Sequence, residues 1–209
     1  MKKIVFVIIS AFLMPAAFSQ DKKTEGYFNT TQIGMLMGNR KMSERSNRYA
    51  ADNKLQFNPS LTMTNGYMFN EKVAIGIGVG YEIFDHNHFP VFVDIRRTMC
   101  DSKTLPFFAL KMGYAIGNLK KKHYDELYLD YGGYYNDVYF KYCGGFMLHP
   151  EMGVKIPISE NADLLFTVAY RYQKIKSKVT QNDRPGWDNV SEHKESVNRM
   201  SFGVAIMFM

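Results

Sequence analysis

No stretch of this 209-residue chain approaches the roughly 20 consecutive apolar residues that a membrane-spanning helix needs. Mean hydropathy is −0.27, which excludes a bundle of such helices. The exclusion does not reach a membrane β-barrel, whose strands are only half apolar. Cysteine is scarce: Cys100 and Cys143 allow one disulfide at most. A clustered basic face is lacking too. The net charge is +6, and the one run, Lys120-Lys121-Lys122, reads as a solvated loop rather than a nucleic-acid footprint. With 46% hydrophobic and 22% charged residues, the chain is not compositionally disordered. Beyond residue 20 there is no sustained helical period. What is plentiful is Phe (16), Gly (16) and Tyr (14), a composition that leans toward β structure.

The start of the chain has a layout of its own. Met1-Lys2-Lys3 precedes an apolar segment, Ile4 to Met14, and then Pro15 to Gln20 with a small-x-small site at Ala17-Phe18-Ser19. This reads as a secretory signal peptide over residues 1–19 and a mature domain over 20–209. The apolar segment is too short to cross about 30 Å of hydrocarbon as a helix. Cutting there removes Lys2 and Lys3, so the net charge falls from +6 to +4.

Period-2 alternation then recurs along the chain. It is clearest from Val73 to Ile83, where Val73, Ile75, Ile77, Val79, Tyr81 and Ile83 alternate with Ala74, Gly76, Gly78, Gly80 and Glu82. In a strand these two sets face opposite ways. Seven further segments read alike: 26–37, 55–69, 89–99, 104–116, 146–158, 162–174 and 199–209. Each has a Phe/Tyr/Met/Val/Ile face and a face of small, polar or isolated charged residues. Short connections (70–72, 100–103, 159–161) alternate with long ones (38–54, 117–145, 175–198), and only 84–88 breaks that rule by being brief. This is the plan of an up-and-down antiparallel transmembrane β-barrel with short periplasmic turns. A soluble sandwich or lipocalin-like barrel would carry a richly charged polar face, and this one does not. Eight strands are expected. Ten is the alternative, if Gly132-Gly133 turns a second hairpin through the membrane.

The residues that carry this pattern also carry a resemblance. They are the N-terminal segment, the Gly-alternating Val73–Tyr81, Phe89–Arg96 paired with Leu105–Tyr114, the Gly-rich return from Gly144 to Gly153, and the last strand, Phe202 to Met209. Across essentially the whole mature chain they resemble the short outer-membrane β-barrel proteins of Gram-negative bacteria, in the broad group of the OmpA transmembrane domain and OmpX. The resemblance implies an outer-membrane location, contact with outer-membrane lipid and lipopolysaccharide, and recognition by the barrel insertion machinery. It implies a fold and a place rather than one activity. Such barrels often end in an aromatic residue; here Phe208 is penultimate.

The polar face collects Glu82, Asp94, Arg96, Lys111, Glu151, Lys155, Arg171 and Arg199. The interior of an eight-stranded barrel is just wide enough for side chains to fill, and charges placed there must pair. The expectation is a structural salt-bridge network, with Lys111 and Glu151 within ion-pair distance. A catalytic reading has weak footing: Ser201, His149 and Glu151 exist, but no spacing binds them into a triad. His86, Asn87 and His88 beside Asp85 read as a solvated turn rather than a metal site. No cofactor, metal or enzymatic activity is expected. The Tyr-rich stretch 123–142, with Tyr124, Tyr128, Tyr131, Tyr134, Tyr135 and Tyr139, is either an extension of two strands above the membrane or a surface for recognition of an extracellular ligand. Cys100 falls in a periplasmic turn and Cys143 near the outer end of a strand. They are expected about a membrane thickness apart and unbonded, since a disulfide needs a Cα separation of roughly 4.4–6.8 Å.

Three functions follow as expectations. The first is a non-enzymatic barrel with a structural or surface-interaction role. The second is a narrow channel for small or hydrophobic solutes. The third is an outer-membrane lipid-modifying enzyme.

Overall fold

A computed structural model of the chain describes residues 25–39, 55–83, 87–99, 105–117, 120–124, 137–184 and 187–209. The elements, all strands, are β1 (Gly26–Asn39), β2 (Leu55–Met68), β3 (Val73–Ile83), β4 (Asn87–Thr98), β5 (Leu105–Gly117), β6 (Lys120–Tyr124), β7 (Asp137–Ser159), β8 (Ala162–Arg184) and β9 (Trp187–Phe208). The expected signal peptide, residues 40–54 of the expected connection 38–54, Cys100, and Tyr128, Tyr131, Tyr134 and Tyr135 lie outside the described residues.

Strands pair in the order β5-β4-β3-β2-β1-β9-β8-β7, and β5 pairs with β7. Every pairing is antiparallel. The result is a closed eight-stranded antiparallel barrel. Closure leaves no free sheet edge around the wall, as a strand structure in hydrocarbon requires. The short β6 is not a ninth stave. It pairs with the upper part of β7 (Lys120↔Lys141 to Tyr124↔Asp137), directly beyond the stretch of β7 that pairs with β5. The ten-stranded alternative is thereby corrected. The arm after β5 stacks above the barrel instead of crossing the membrane, and with five residues it is about half the length a crossing needs.

Alternation assigned the faces as the structure has them. Ile33, Ile77, Val91, Phe108, Met152, Phe166 and Phe202 are exposed on the outside, while Glu82, Asp94, Lys111, Glu151 and Arg171 are buried inside. The close approach of walls explains the glycines of β3. A Cβ on Gly78 would sit 2.4 Å from two ring carbons of Phe92, the residue opposite it on β4. The lumen there is filled by a ring lying over a residue that has no side chain.

Several boundaries differ from the sequence reading. The expected loop 84–88 is shorter, since β4 begins at Asn87 and His88 is buried inside the barrel. Lys120-Lys121-Lys122 forms β6 rather than a loop. Within the expected loops 117–145 and 175–198 the described residues (117, 120–124, 137–145, 175–184 and 187–198) are strand. β7, β8 and β9 run to 23, 23 and 22 residues, roughly twice the 9–11 needed to cross a bilayer. Their surplus forms a sheet that continues the wall beyond the barrel, with β6 at its edge. Cys143 therefore stands inside a long strand, at a register shift between Tyr142 and Gly144. Gly144 has φ +78°, a backbone state that favours glycine.

Candidate functional site: the barrel interior

The interior is built in layers along the axis. At the short-turn end Phe28, Met68, Ala74, Phe107, Ala109, Leu165, Ala205 and Met207 form an apolar cluster, with Met209 packed against it. Inward-pointing positions at the ends of six strands thus plug the lumen on that side. The turn beside it is fixed locally: Asn70 Oδ1 accepts hydrogen bonds from Lys72 N and Val73 N at 2.9 and 2.8 Å. Near the plug Lys155 Nζ meets Asp163 Oδ2 at 2.8 Å, tying the end of β7 to the start of β8. A void of about 20 Å³ remains among Met68, Arg96, Phe107 and Lys155, room for about one water. The far larger recess, about 860 Å³, lies among outward residues such as Ile33, Met35, Phe108, Met152, Phe166 and Phe202. It is a groove on the apolar exterior.

Above the plug comes a polar layer. Arg96 donates to Asp94 Oδ2 from Nε and Nη2 at 2.9 and 2.7 Å. Its Nη1 reaches Thr30 Oγ1 at 3.4 Å, and its guanidinium stands 5.8 Å from the centre of the Phe28 ring. Lys111 is a hub. Its Nζ lies 2.8 Å from Glu151 Oε2 and 2.5 Å from Gln32 Oε1. Gln32 Nε2 in turn donates to Glu151 Oε2 at 3.0 Å and to Thr167 Oγ1 at 2.9 Å. His149 Nε2 is 3.6 Å from the same Glu151 oxygen. Higher still, Arg171 Nη2 donates to Glu82 Oε2 at 2.9 Å.

Two of these contacts span the barrel. β1 and β5 are four staves apart in either direction around the ring, and so are β3 and β8. Lys111–Gln32 and Arg171–Glu82 therefore join diametrically opposite walls. Such contacts leave no open bore at their level. Charges this deep are tolerable only when matched. Arg96, Lys111, Lys155, Arg171 and Arg199 stand there against Asp94, Glu151, Asp163 and Glu82, all of them buried.

All eight charged residues singled out from the sequence are buried inside. Sequence reasoning missed Asp163, Gln32, His88 and the apolar plug. Asp163 lies within the expected strand 162–174 and shares the parity of Thr167 and Arg171, so the same alternation places it inside. Gln32 stood on the polar face of β1 but carries no charge. Ser201 and His149 are buried in the lumen, away from the lipid face where an acyl substrate would lie. Among the described residues no group of three His, Cys, Asp or Glu side chains is placed to hold a metal. Tyr124 and Tyr139 sit in the sheet above the barrel, with Tyr124 opposite Asp137 and Tyr139 opposite Lys122.

No protein-family model matches the chain, and no curated protein matches it. Solved structures do. The outer membrane protein OprG from Pseudomonas aeruginosa aligns with a TM-score of 0.50 at 15% identity, over 90% of this chain and 98% of that one. Neisserial surface protein A aligns at 0.48 and 13% identity, over 87% and 95%. AlkL, an outer membrane protein solved in lipid bilayers, aligns at 0.47 and 12%, over 92% and 93%. At such identities the likeness to OprG is one of fold: a small outer-membrane-type β-barrel spanning nearly the whole of both chains.

Proposed function

We propose that this chain is an integral outer-membrane barrel with a shut lumen, non-enzymatic, serving as a structural and surface-interaction platform through the strands and loops that rise above the membrane. The observation that carries this reading is the pair of wall-to-wall contacts, Lys111–Gln32 and Arg171–Glu82, set above an apolar plug. A belt of outward Ile, Val, Phe, Met and Tyr side chains supports membrane residence, since a patch of that extent is not left in water by a soluble monomer. The fold likeness to OprG supports the outer membrane as the location. The interior is spent on packing and pairing, which leaves the extension of β6–β9 and the Tyr-rich connection between β6 and β7 to meet partners.

The test is functional silence of the lumen combined with membrane insertion. Refolded into phospholipid vesicles, the chain is expected to show the heat-dependent gel shift of a folded barrel and to be protected from protease across the strand segments. It is expected to release no entrapped ions and to hydrolyse no lipid ester. Lipid hydrolysis that vanishes in Ser201→Ala and His149→Ala would overturn the non-enzymatic part.

A further inference from the structure

The outward face of the barrel is apolar except at one seam. Through the stretch that crosses the bilayer, the described outward positions of β3, β5, β7, β8 and β9 hold aliphatic, aromatic, Met or Pro residues, as at Ile77, Phe108, Met152, Phe166 and Phe202. Where β1 meets β2 the pattern breaks. Asn29 and Thr31 on β1 and Asn65 on β2 take outward positions, while their neighbours Phe28, Thr30, Gln32 and Thr64 are buried inside. Register brings the three together: Asn29 stands opposite Asn65, and Thr31 opposite Met63. They are short side chains among long ones. Ile77, opposite Asn65 on β3, and Ile33, the next outward residue of β1, stand proud at 66% and 68% exposed. Phe208 flanks Asn29 from β9. The seam is thus a shallow polar dip with an apolar rim.

Its hydrogen bonds are incomplete. Tyr27 and Tyr67 face each other in the next row toward the short-turn end. A tyrosine at the rim of a lipid-facing belt ordinarily holds its hydroxyl at headgroup level. Tyr27 turns the other way: its hydroxyl donates to Asn65 Oδ1 at 2.6 Å, one outward step farther into the belt. That step is two residues, on the order of 5 Å along the axis once the strand is tilted. Asn29 Nδ2 donates to the same oxygen at 2.5 Å. Both lone pairs of Asn65 Oδ1 are then taken. Among the described residues, Asn65 Nδ2, Asn29 Oδ1 and Thr31 Oγ1 have no hydrogen-bond partner. Hydrocarbon offers them none, and an unmet amide there is costly. A free donor and a free acceptor lie side by side on one small surface, which is what pairing with a copy of the same surface requires. Insertion points every copy the same way across the membrane. A two-fold axis between two copies therefore runs along the membrane normal and joins residues at equal height. Asn29 and Asn65, neighbours in one cross-strand row, meet that condition.

We propose that the β1–β2 seam is the interface of a homodimer within the membrane, in which Asn65 Nδ2 of each copy donates to Asn29 Oδ1 of the other. The proposal rests on the membrane reading above and names a partner for it. Lipid gives two apolar walls no reason to associate, so close approach and hydrogen bonding have to supply it. The dip supplies both: its short side chains let the two walls come near, and its amides pair across the axis. Thr31, one outward step above Asn29, lies close to that axis in both copies.

The experiment folds donor-labelled and acceptor-labelled copies of the full chain together into phosphatidylcholine vesicles over a range of protein-to-lipid ratios. Energy transfer reads the dimer fraction. For the wild type, transfer is expected to saturate as the ratio rises and to vanish on dilution with lipid. Asn29→Leu/Asn65→Leu is expected to weaken association roughly ten- to hundredfold. It is expected to keep the heat-dependent gel shift, since leucine suits a wall that faces lipid. Phe108→Leu, on the stave opposite β1, is expected to change nothing. With Cys100 and Cys143 replaced by Ser, oxidation of Thr31→Cys is expected to cross-link two copies, and oxidation of Met152→Cys, on the stave opposite β2, is not. Wild-type transfer no greater than random mixing at every ratio overturns the proposal, and would leave the seam to lipid or to another protein. So does equal association by the double variant, or cross-linking through Met152→Cys and not through Thr31→Cys. Failure of the wild type to enter any bilayer would instead overturn the membrane reading.

Discussion

Lys111 touches three interior groups: a carboxylate, an amide from the opposite wall and, at 5.9 Å, the face of Phe92. Replacing it by Met strands Glu151 in a buried site, and a broken buried pair costs about 3–5 kcal/mol. Lys111→Met is therefore expected to lower the midpoint of urea unfolding in lipid markedly. Lys111→Met/Glu151→Leu is expected to recover most of that loss, because a buried ion pair exchanged for apolar groups is often neutral. A double variant as unstable as the single one would remove the pair from the centre of the interior. Gly78→Val tests packing by a different route. Its new side chain meets the Phe92 ring, and the expected cost is about 1–3 kcal/mol from overpacking, read in the same unfolding experiment. At this scale the charged interior was legible because period-2 alternation places each residue on one face without reference to anything distant. Lys111 and Glu151 needed in addition only that β5 and β7 be neighbours. Gln32 was not legible as a partner of Lys111. Its contact crosses the lumen, and nothing local to β1 reports which stave stands opposite.

Strand boundaries were legible where an apolar face met lipid and illegible where it stopped. β1 to β5 begin and end within about two residues of the sequence reading, because their outward residues change abruptly from Phe, Ile or Val to turn residues. β8 and β9 continue for some ten residues beyond that point. In segments such as Lys174 to Arg184 the alternate positions that are apolar lower in β8 hold lysine and other polar residues, so the usual sequence signal of a half-buried strand is missing. Ladder pairing with β7 and β9 holds this part of β8 as strand regardless of polarity. The extension is then an appendage to a barrel already closed below it. Replacing residues 176–194 by a short turn is expected to leave the heat-dependent gel shift intact and the unfolding free energy within about 1 kcal/mol, since shortening a loop changes closure entropy only slightly. A shortened chain that no longer folds would mean that the long hairpin nucleates the barrel.

The whole molecule is a cylinder that spends its interior on itself. An apolar cluster closes one end, and polar contacts join opposite walls through the middle. Sequence alone gave the even strand number, the antiparallel order and the identity of both faces, because closure in lipid permits few alternatives to a pattern of short turns and alternating strands. It left open whether the lumen conducts, since that depends on side chains that meet only after the barrel has closed. Conductance is thus the property that separates a packed interior from a pore. The most direct test is single-channel recording of the purified wild-type barrel in planar bilayers under applied potential. The account predicts successful insertion with no stepwise current. Discrete, reproducible conductance steps from the same preparation would contradict it, and would require the Lys111–Gln32 and Arg171–Glu82 bridges to open.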